Sequence, residues 1–317
     1  MPRVAIPDEL TAHLEPVDGV EMRFYDPRDR ESVPGGGEDI DVLVLPTIAG
    51  SWITKMALVP GLRAVILSSA GYEHALAYLP QGVVLANAVG VHDTATAELA
   101  LMLALAAQRD LVRAVLSQQE GEWARPAPGQ GRSLADSRAL VLGYGGIGKA
   151  LARRLLASEC QVVAVASQPR DGDDLVDQVH GIEELPDLLP EADLLFISVP
   201  LLPATAGLVG AETLRALPDD ALVVNVARGG VVDTDALIAE CASGRLRAAL
   251  DVTDPEPLPA GHPLWTTPGV LITPHVGGAS PAFLPRMASY VRTQLASYRD
   301  TGTLQHVVAP RPPAPAA

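Results

Sequence analysis

Short apolar runs alternate with helix-compatible stretches from residue 40 onward. Residues 40–45, 63–67 and 83–86 are brief, rich in Val, Leu or Ile, and bounded by Pro, Gly or Asn, which predicts strands. Residues 51–58 fit a helix between two of them. Residues 94–119 carry a long helical pattern, almost continuously apolar over 99–107, so this helix is expected to be buried on most sides. The Pro/Gly-rich stretch 121–131 breaks the period and reads as an exposed connection. A second series starts at Ser137. It predicts strands at 138–142, 161–166, 193–199, 221–226, 247–252 and 270–273, and helices at 147–157, 182–188, 211–217 and 234–242. One more helix is predicted over about 281–298, and the Pro/Ala-rich tail 310–317 is expected to be disordered.

Alternating βα units imply mostly parallel sheets covered on both faces. The expected fold class is α/β, with two doubly wound parallel-sheet domains. Six strands linked mostly by single helices describe a Rossmann-type cofactor domain at 94–276. It would be inserted in a discontinuous, flavodoxin-like substrate domain formed by 1–93 and 277–317.

Composition narrows the function. The 317 residues are 48% hydrophobic and 19% charged, enough apolar material for packed cores. The net charge of −15 argues against a nucleic-acid partner and against anionic membrane surfaces. The two cysteines, Cys160 and Cys241, build no disulfide framework, and no cluster has metal-ligand spacing, so no metal is expected. The first ten residues lack the apolar core of a signal peptide, and no stretch approaches the roughly 20 apolar residues that span a bilayer. A globular cytoplasmic protein is the expectation.

Residues 138–151 read RALVLGYGGIGKAL. Gly143, Gly145 and Gly148 form G-x-G-x-x-G directly after a predicted strand and at the opening of a helix. In a dinucleotide site the first glycine permits the tight turn, the second lets the pyrophosphate approach, and the third lets helix and strand pack closely. Amides at the helix start, near Gly146 and Ile147, would face the phosphates. The next strand should end in an acid that holds the adenosine ribose. It ends instead in Ser167, followed by Gln168, Pro169 and Arg170. A hydroxyl and a guanidinium would accept a 2′-phosphate that a carboxylate would repel, so NADP is expected over NAD. The competing reading is a solvent loop in which Arg170 pairs with Asp171, Asp173 or Asp174.

Ligands of open parallel sheets sit beyond the carboxyl ends of the strands. After 221–226 comes Arg228 between Ala227 and Gly229; after 247–252 comes Glu256 between two prolines; after 270–273 comes His275. A cation, an acid and an imidazole are thus assigned to one sheet edge. The cation suits a substrate carboxylate, the imidazole suits proton exchange near neutral pH, and the acid suits orienting the ring. The bland alternatives are a surface charge, an exposed turn and a satisfied core histidine.

These segments resemble the D-isomer-specific 2-hydroxyacid dehydrogenases, closest in look to the glyoxylate/hydroxypyruvate reductases. The resemblance rests on LSSAGYEHA (67–75), TAELALMLALAAQR (96–109), VLGYGGIGKAL (141–151), SVPLLPATAGLVG (198–210), NVARGGVVDTDAL (225–237), ALDVTDPEPLP (249–259), HPLW (262–265) and LITPHVGG (271–278). It implies a catalytic set of Arg228, Glu256 and His275. It implies cofactor contacts at Gly146, Ile147, Ser167, Val199, Pro200, Thr205, Asp251, His275, Gly277 and the turn of Val226, Ala227 and Arg228. It also implies substrate-carboxylate binding at Ala70 and Gly71 with Arg228 and His275, an active site in the cleft between two domains, and a homodimer built on the 94–109 helix and the arm after it.

The expected reaction is hydride transfer between NAD(P)H and the C2 position of a small 2-oxo or D-2-hydroxy acid. Residues 46–55 offer Trp52 and Ile53 but no arginine, which favours glyoxylate, hydroxypyruvate or an apolar 2-oxo acid over a phosphorylated substrate. The alternatives are a phosphoglycerate dehydrogenase and a non-catalytic nucleotide-sensing protein on the same fold. Formate and phosphite dehydrogenases also share it, but the formate enzymes carry glutamine where Glu256 stands. His262 reads as turn structure and Trp123 as an anchor for the connecting arm.

Overall fold

The structure is a computed structural model that describes residues 1–29, 39–47, 50, 52–125 and 131–309. The 310–317 tail, the centre of the 121–131 connection and part of the 46–55 segment lie outside the described residues. The chain divides into two units, Met1–His92 with Ser280–Ala317, and Asp93–Ala279.

The first unit has one sheet of six strands. They are β1 (Arg3–Pro7), β2 (Glu21–Tyr25), β3 (Val42–Val44), β4 (Ala64–Ile66), β5 (Val84–Ala86) and β14 (Val307–Ala309), in the order β14-β5-β4-β3-β1-β2. All neighbours are parallel except β14, which runs antiparallel to β5. The apolar runs at 40–45, 63–67 and 83–86 contain β3, β4 and β5, with their ends trimmed. β1, β2 and β14 were not anticipated. The first ends in Pro7, the second carries Glu21 and Arg23, and the last exists only as an edge partner for β5. Short helices α1 (Trp52–Lys55) and α2 (Glu73–Leu76) lie between strands, and the long α9 (Phe283–Thr301) follows. One sheet face packs under Phe283, Met287, Val291 and Leu295 of α9. The other packs under Trp52, Ile53 and Met56. Both Trp52 and Ile53 are therefore core residues of this unit, not side chains offered to a ligand, and Lys55 lies over the Trp52 ring.

In the second unit the long helical pattern is broken. α3 (Asp93–Gln108) stops, Asp110 takes a left-handed φ of 50°, and α4 (Leu111–Glu120) starts as a separate helix. Asp tolerates that conformation better than most residues. Nor is the apolar helix buried all round. Ala97, Ala100 and Leu103 enter the core, while Met102 and Leu105 are exposed, as are Leu111, Val112, Val115 and Leu116 on α4.

The sheet of this unit comprises β6 (Arg138–Leu142), β7 (Gln161–Ala166), β8 (Arg170–Asp171), β9 (Gln178–Gly181), β10 (Leu194–Ile197), β11 (Leu222–Asn225), β12 (Arg247–Leu250) and β13 (Val270–Ile272). Their order is β13-β12-β11-β10-β6-β7-β9-β8. Order reverses between β6 and β10, the topological switch point at which such sheets take their ligands. The six-strand expectation omitted a hairpin, the polar pair β8 and β9, which is antiparallel within itself. The central strands are apolar on both faces because both faces are covered. On one side lie α3 and α5 (Gly146–Ala157). On the other lie α6 (Leu185–Leu188), α7 (Ala211–Ala216) and α8 (Thr234–Ala242). α8 is started by Asp233, whose carboxylate accepts from the Ala236 amide at 3.0 Å. No helix among the described residues is long and apolar enough to cross a membrane.

Candidate active site

Three loops leave the carboxyl ends of β11, β12 and β13, and each is fixed by its own hydrogen bonds. Asn225 ends β11 and is buried. Its side-chain oxygen accepts from the Ala227 amide and its amide group donates to the Arg228 carbonyl, both at 3.0 Å. Val226 and Ala227 are buried beneath the turn. The Arg228 guanidinium donates to the Ala227 carbonyl at 2.7 Å. A Cβ on Gly229 would fall 2.0 Å from the Thr253 carbonyl, so the Arg228 turn lies backbone to backbone against the loop after β12. That loop is shaped by Thr253, whose hydroxyl donates to the Pro255 carbonyl at 2.9 Å, and by Thr234, whose hydroxyl donates to the Asp254 carbonyl at 3.1 Å.

The third loop is held by Asp251, only 2% exposed. Its carboxylate accepts from the Thr273 hydroxyl at 2.6 Å and from the Val276 and Gly277 amides at 2.9 and 2.8 Å. Three donors offset the cost of burying the charge. His275 takes a left-handed φ of 54° and turns its ring back toward the loop after β12. There Nδ1 meets Glu256 Oε1 at 2.5 Å, with the two side chains 46% and 39% exposed. The carboxylate thereby sets the ring orientation through Nδ1, and Nε2 is the ring nitrogen that Glu256 does not engage.

The glycine turn follows β6. Gly143 has φ 106°, and a Cβ there would strike the Ser198–Val199 backbone at 2.7 Å. A Cβ on Gly148 would strike the Gly143 carbonyl at 2.1 Å, so the third glycine lets α5 close onto the strand. Beside Gly145 lies open space, wide enough for a phosphate to approach the first-turn amides were one bound. This donor set fits a dinucleotide pyrophosphate. One feature was not foreseen: the Asp93 carboxylate faces Gly146, where a Cβ would lie 2.0 Å from Oδ2. Ile147 is partly buried in the first turn of α5. Beyond β10, Val199 and Pro200 lead into a loop closed by Thr205, whose hydroxyl donates to the Pro200 carbonyl and accepts from the Leu202 amide.

At the end of β7, Ser167 is exposed. Arg170 makes no ion pair with Asp171, Asp173 or Asp174; its Nη2 donates to the Tyr144 carbonyl, inside the glycine turn, at 2.8 Å. Asp173 is engaged elsewhere. It meets Lys149 Nζ at 2.8 Å and accepts from the Tyr144 hydroxyl at 2.9 Å and the Leu175 amide at 3.1 Å. Lys149 above all, with these donors, draws the Asp173 carboxyl down to about 2.

Ala70 and Gly71 lie in the first unit, in the loop after β4. The Asn87 side-chain amide donates to the Ala70 carbonyl at 2.6 Å, and the Ser69 hydroxyl donates to the Gly71 carbonyl at 2.7 Å. His92 Nε2 pairs with the Ser68 carbonyl at 2.7 Å. With the carbonyls tied back, the Ala70 and Gly71 amides donate to no acceptor among the described residues. Such paired amides form an anion-binding concavity.

Sequence reasoning passed over Asn225, Asn87, Tyr144, Lys149 and Asp93. A polar Asn closing an otherwise apolar strand was the available signal for Asn225; the others depend on contacts distant in sequence. His262 caps the short helical turn Pro263–Trp265. Trp123 does not anchor the arm within the chain, being 88% exposed. No group of His, Cys, Asp and Glu among the described residues could hold a metal ion.

Residues 101–277 match the family model for the NAD-binding domain of D-isomer-specific 2-hydroxyacid dehydrogenases. The glyoxylate reductase/hydroxypyruvate reductase of Homo sapiens is 35% identical over 225 residues, 69% of this chain and 68% of the human protein. Two crystal structures superpose over nearly the whole chain. One is a D-isomer-specific 2-hydroxyacid dehydrogenase from Xanthobacter autotrophicus in complex with NADPH, with TM-score 0.78, 30% identity and coverage of 98% of both chains. The other is an NADPH-dependent glyoxylate/hydroxypyruvate reductase from Sinorhizobium meliloti in complex with NADP, with TM-score 0.80, 26% identity and coverage of 97% of this chain and 98% of that one. The chain belongs to the D-isomer-specific 2-hydroxyacid dehydrogenase family, whose members transfer a hydride at C2 of a hydroxy or oxo acid, and it carries the family's NAD(P)-binding domain.

Proposed function

We propose that this protein reduces a small 2-oxo acid, glyoxylate or hydroxypyruvate or one with an apolar side chain, to the D-2-hydroxy acid, with NADPH preferred to NADH. The contact between His275 Nδ1 and Glu256 Oε1 carries the reading, because it orients an imidazole for proton transfer at the sheet edge where Rossmann-type domains hold their ligands. Bound nicotinamide supplies the hydride. His275 gives the proton from Nε2 to the carbonyl oxygen, and Glu256 keeps the ring turned through Nδ1. Arg228 binds the substrate carboxylate and polarises the carbonyl. The Ala70 and Gly71 amides supply carboxylate-binding donors in the first unit.

The pyrophosphate is assigned to Gly145, Gly146 and Ile147 in the turn shaped by Gly143 and Gly148. Val199, Pro200, Thr205, Val226, Ala227, Asp251, His275 and Gly277 are assigned to the rest of the cofactor. Preference for NADP is supported by the absence of an acid at Ser167, by Arg170 making no ion pair among the described residues, and by the NADPH and NADP in the two related crystal structures.

Subunit pairing into a homodimer is supported by the exposed Met102, Leu105, Leu111, Val112, Val115 and Leu116 on α3 and α4. The domain roles follow: residues 1–93 with 277–317 for substrate, 94–276 for cofactor. Steady-state rates with NADPH and NADH against glyoxylate, hydroxypyruvate, apolar 2-oxo acids and 3-phosphohydroxypyruvate test the reading. NADPH oxidation with an unphosphorylated acid ranked first supports it. A phosphorylated substrate ranked first, or no turnover with any 2-oxo acid, overturns it.

A further inference from the structure

The hairpin that carries Arg170 joins the sheet through β9, which pairs with β7 and buries Val179, while β8 with Arg170 lies at the outer edge. β8 is two residues long and pairs through Arg170 with Val179 and Asp171 with Gln178. β9 is therefore held on both flanks, and β8 on one only. Its own turn is tight: a Cβ on Gly172 would fall 1.9 Å from the Val176 carbonyl, so residues 170–178 form one closely packed piece.

That piece is fastened to the glycine turn at two points, and both points are on Tyr144. The Tyr144 carbonyl receives Arg170 Nη2 at 2.8 Å, and the Tyr144 hydroxyl donates to Asp173 at 2.9 Å. Tyr144 is only 2% exposed, so the phenol has one direction and cannot swing away from Asp173. On its other side Asp173 is held by Lys149 of α5, whose Nζ also lies over the Tyr144 ring, 5.5 Å from its centre. Lys149 balances the charge of Asp173, which would otherwise oppose an anion beside Arg170. Arg170 spends one of its five N–H donors on the Tyr144 carbonyl and keeps the others.

We propose that Tyr144, acting through Asp173, is a positioning residue for cofactor selection: its hydroxyl ties the Arg170 hairpin to the glycine turn and so stations the guanidinium for the 2′-phosphate of NADP. The residue between the first two glycines of the fingerprint then has a task of its own, separate from binding the pyrophosphate. This rests on the assignment of Arg170 to the 2′-phosphate, and the experiment separates the two.

Dissociation constants of NADP+ and NAD+ are measured by calorimetry on cofactor-free protein for wild type, Tyr144→Phe, Arg170→Ala and the double variant. Phe keeps the buried ring and every charge, and removes only the hydroxyl. The expected result is that Tyr144→Phe weakens NADP+ about fivefold and leaves NAD+ within about twofold. In the Arg170→Ala background the same substitution should leave NADP+ unchanged, because the hydroxyl works through the arginine. Equal losses for both cofactors, no loss for either, or a full fivefold loss that persists without Arg170 would each overturn the positioning role. If Arg170→Ala itself leaves NADP+ binding intact, the assignment of the 2′-phosphate fails instead.

Discussion

The backbone amide of His275 donates to the carbonyl of Asp251 at 2.8 Å, and the carboxylate of the same Asp251 takes the next two amides, those of Val276 and Gly277. One buried residue at the end of β12 therefore sets the path of the loop that carries the imidazole. Asp251→Ala would strand two amides with no acceptor. An unpaired buried donor costs about 1–3 kcal/mol, so the variant should lose on the order of 2–5 kcal/mol of unfolding free energy, read as a lower urea midpoint. Asp251→Asn keeps one oxygen and should lose less. Equal midpoints for Asp251→Ala and wild type would show that the loop is held by other contacts.

Glu256 and His275 should separate in kinetics from the cofactor site. General acid–base groups contribute typically about 10²–10⁴-fold. His275→Asn should lower kcat for 2-oxo acid reduction within that range. NADPH affinity, followed by fluorescence of the bound cofactor, should stay within a few-fold. Glu256→Gln preserves shape and a hydrogen bond to Nδ1 but not the charge, and should cost about tenfold or more in kcat. Turnover near wild type in His275→Asn would remove the imidazole from the mechanism.

Why some of this is legible from sequence and some is not has a physical basis. A buried parallel strand must be apolar on both faces, so 138–142 and 161–166 stand out in the chain with the bounds that β6 and β7 have in the structure. The loops of Arg228, Glu256 and His275 follow from the same logic, since each begins where an apolar run ends. Edge elements leave no such trace: β8, two exposed polar residues, has a neighbour on one flank only, and β9, which joins it to β7, is short and half exposed. The break at Asp110 is a backbone choice made by a residue that is unremarkable in a helical pattern. The bonds from Tyr144 to Asp173 and from Asp251 to Gly277 join residues far apart along the chain, which local pattern cannot pair.

The two thiols should be inert in the folded protein. Burial pushes Cys160 up to about 11, and burial together with Glu240 pushes Cys241 up to about 12. A raised thiol pKa means less thiolate at a given pH, and the thiolate is the nucleophile. An aromatic disulfide reagent at pH 8 should therefore titrate neither thiol rapidly in native protein and both in denaturant. A fast first equivalent would place one of the thiols at the surface.

Asp93 offers a test of the phosphate assignment that is independent of catalysis. Its carboxylate lies against Gly146, at the positive end of α5, where the pyrophosphate is assigned. An anion already at a helix start stabilises the helix but opposes a second anion at the same amides. Charges at such termini are worth typically about 0.3–1 kcal/mol, equivalent to roughly two- to fivefold in affinity. Asp93→Asn should therefore tighten NADP+ and NAD+ alike by about that factor. It should do so at low ionic strength and lose most of the gain in about 1 M salt, where screening shortens to about 3 Å. The common effect on both cofactors distinguishes it from Tyr144→Phe, which acts on the 2′-phosphate only. Affinity unchanged at every salt concentration would mean that the pyrophosphate and the Asp93 carboxylate do not share the α5 terminus.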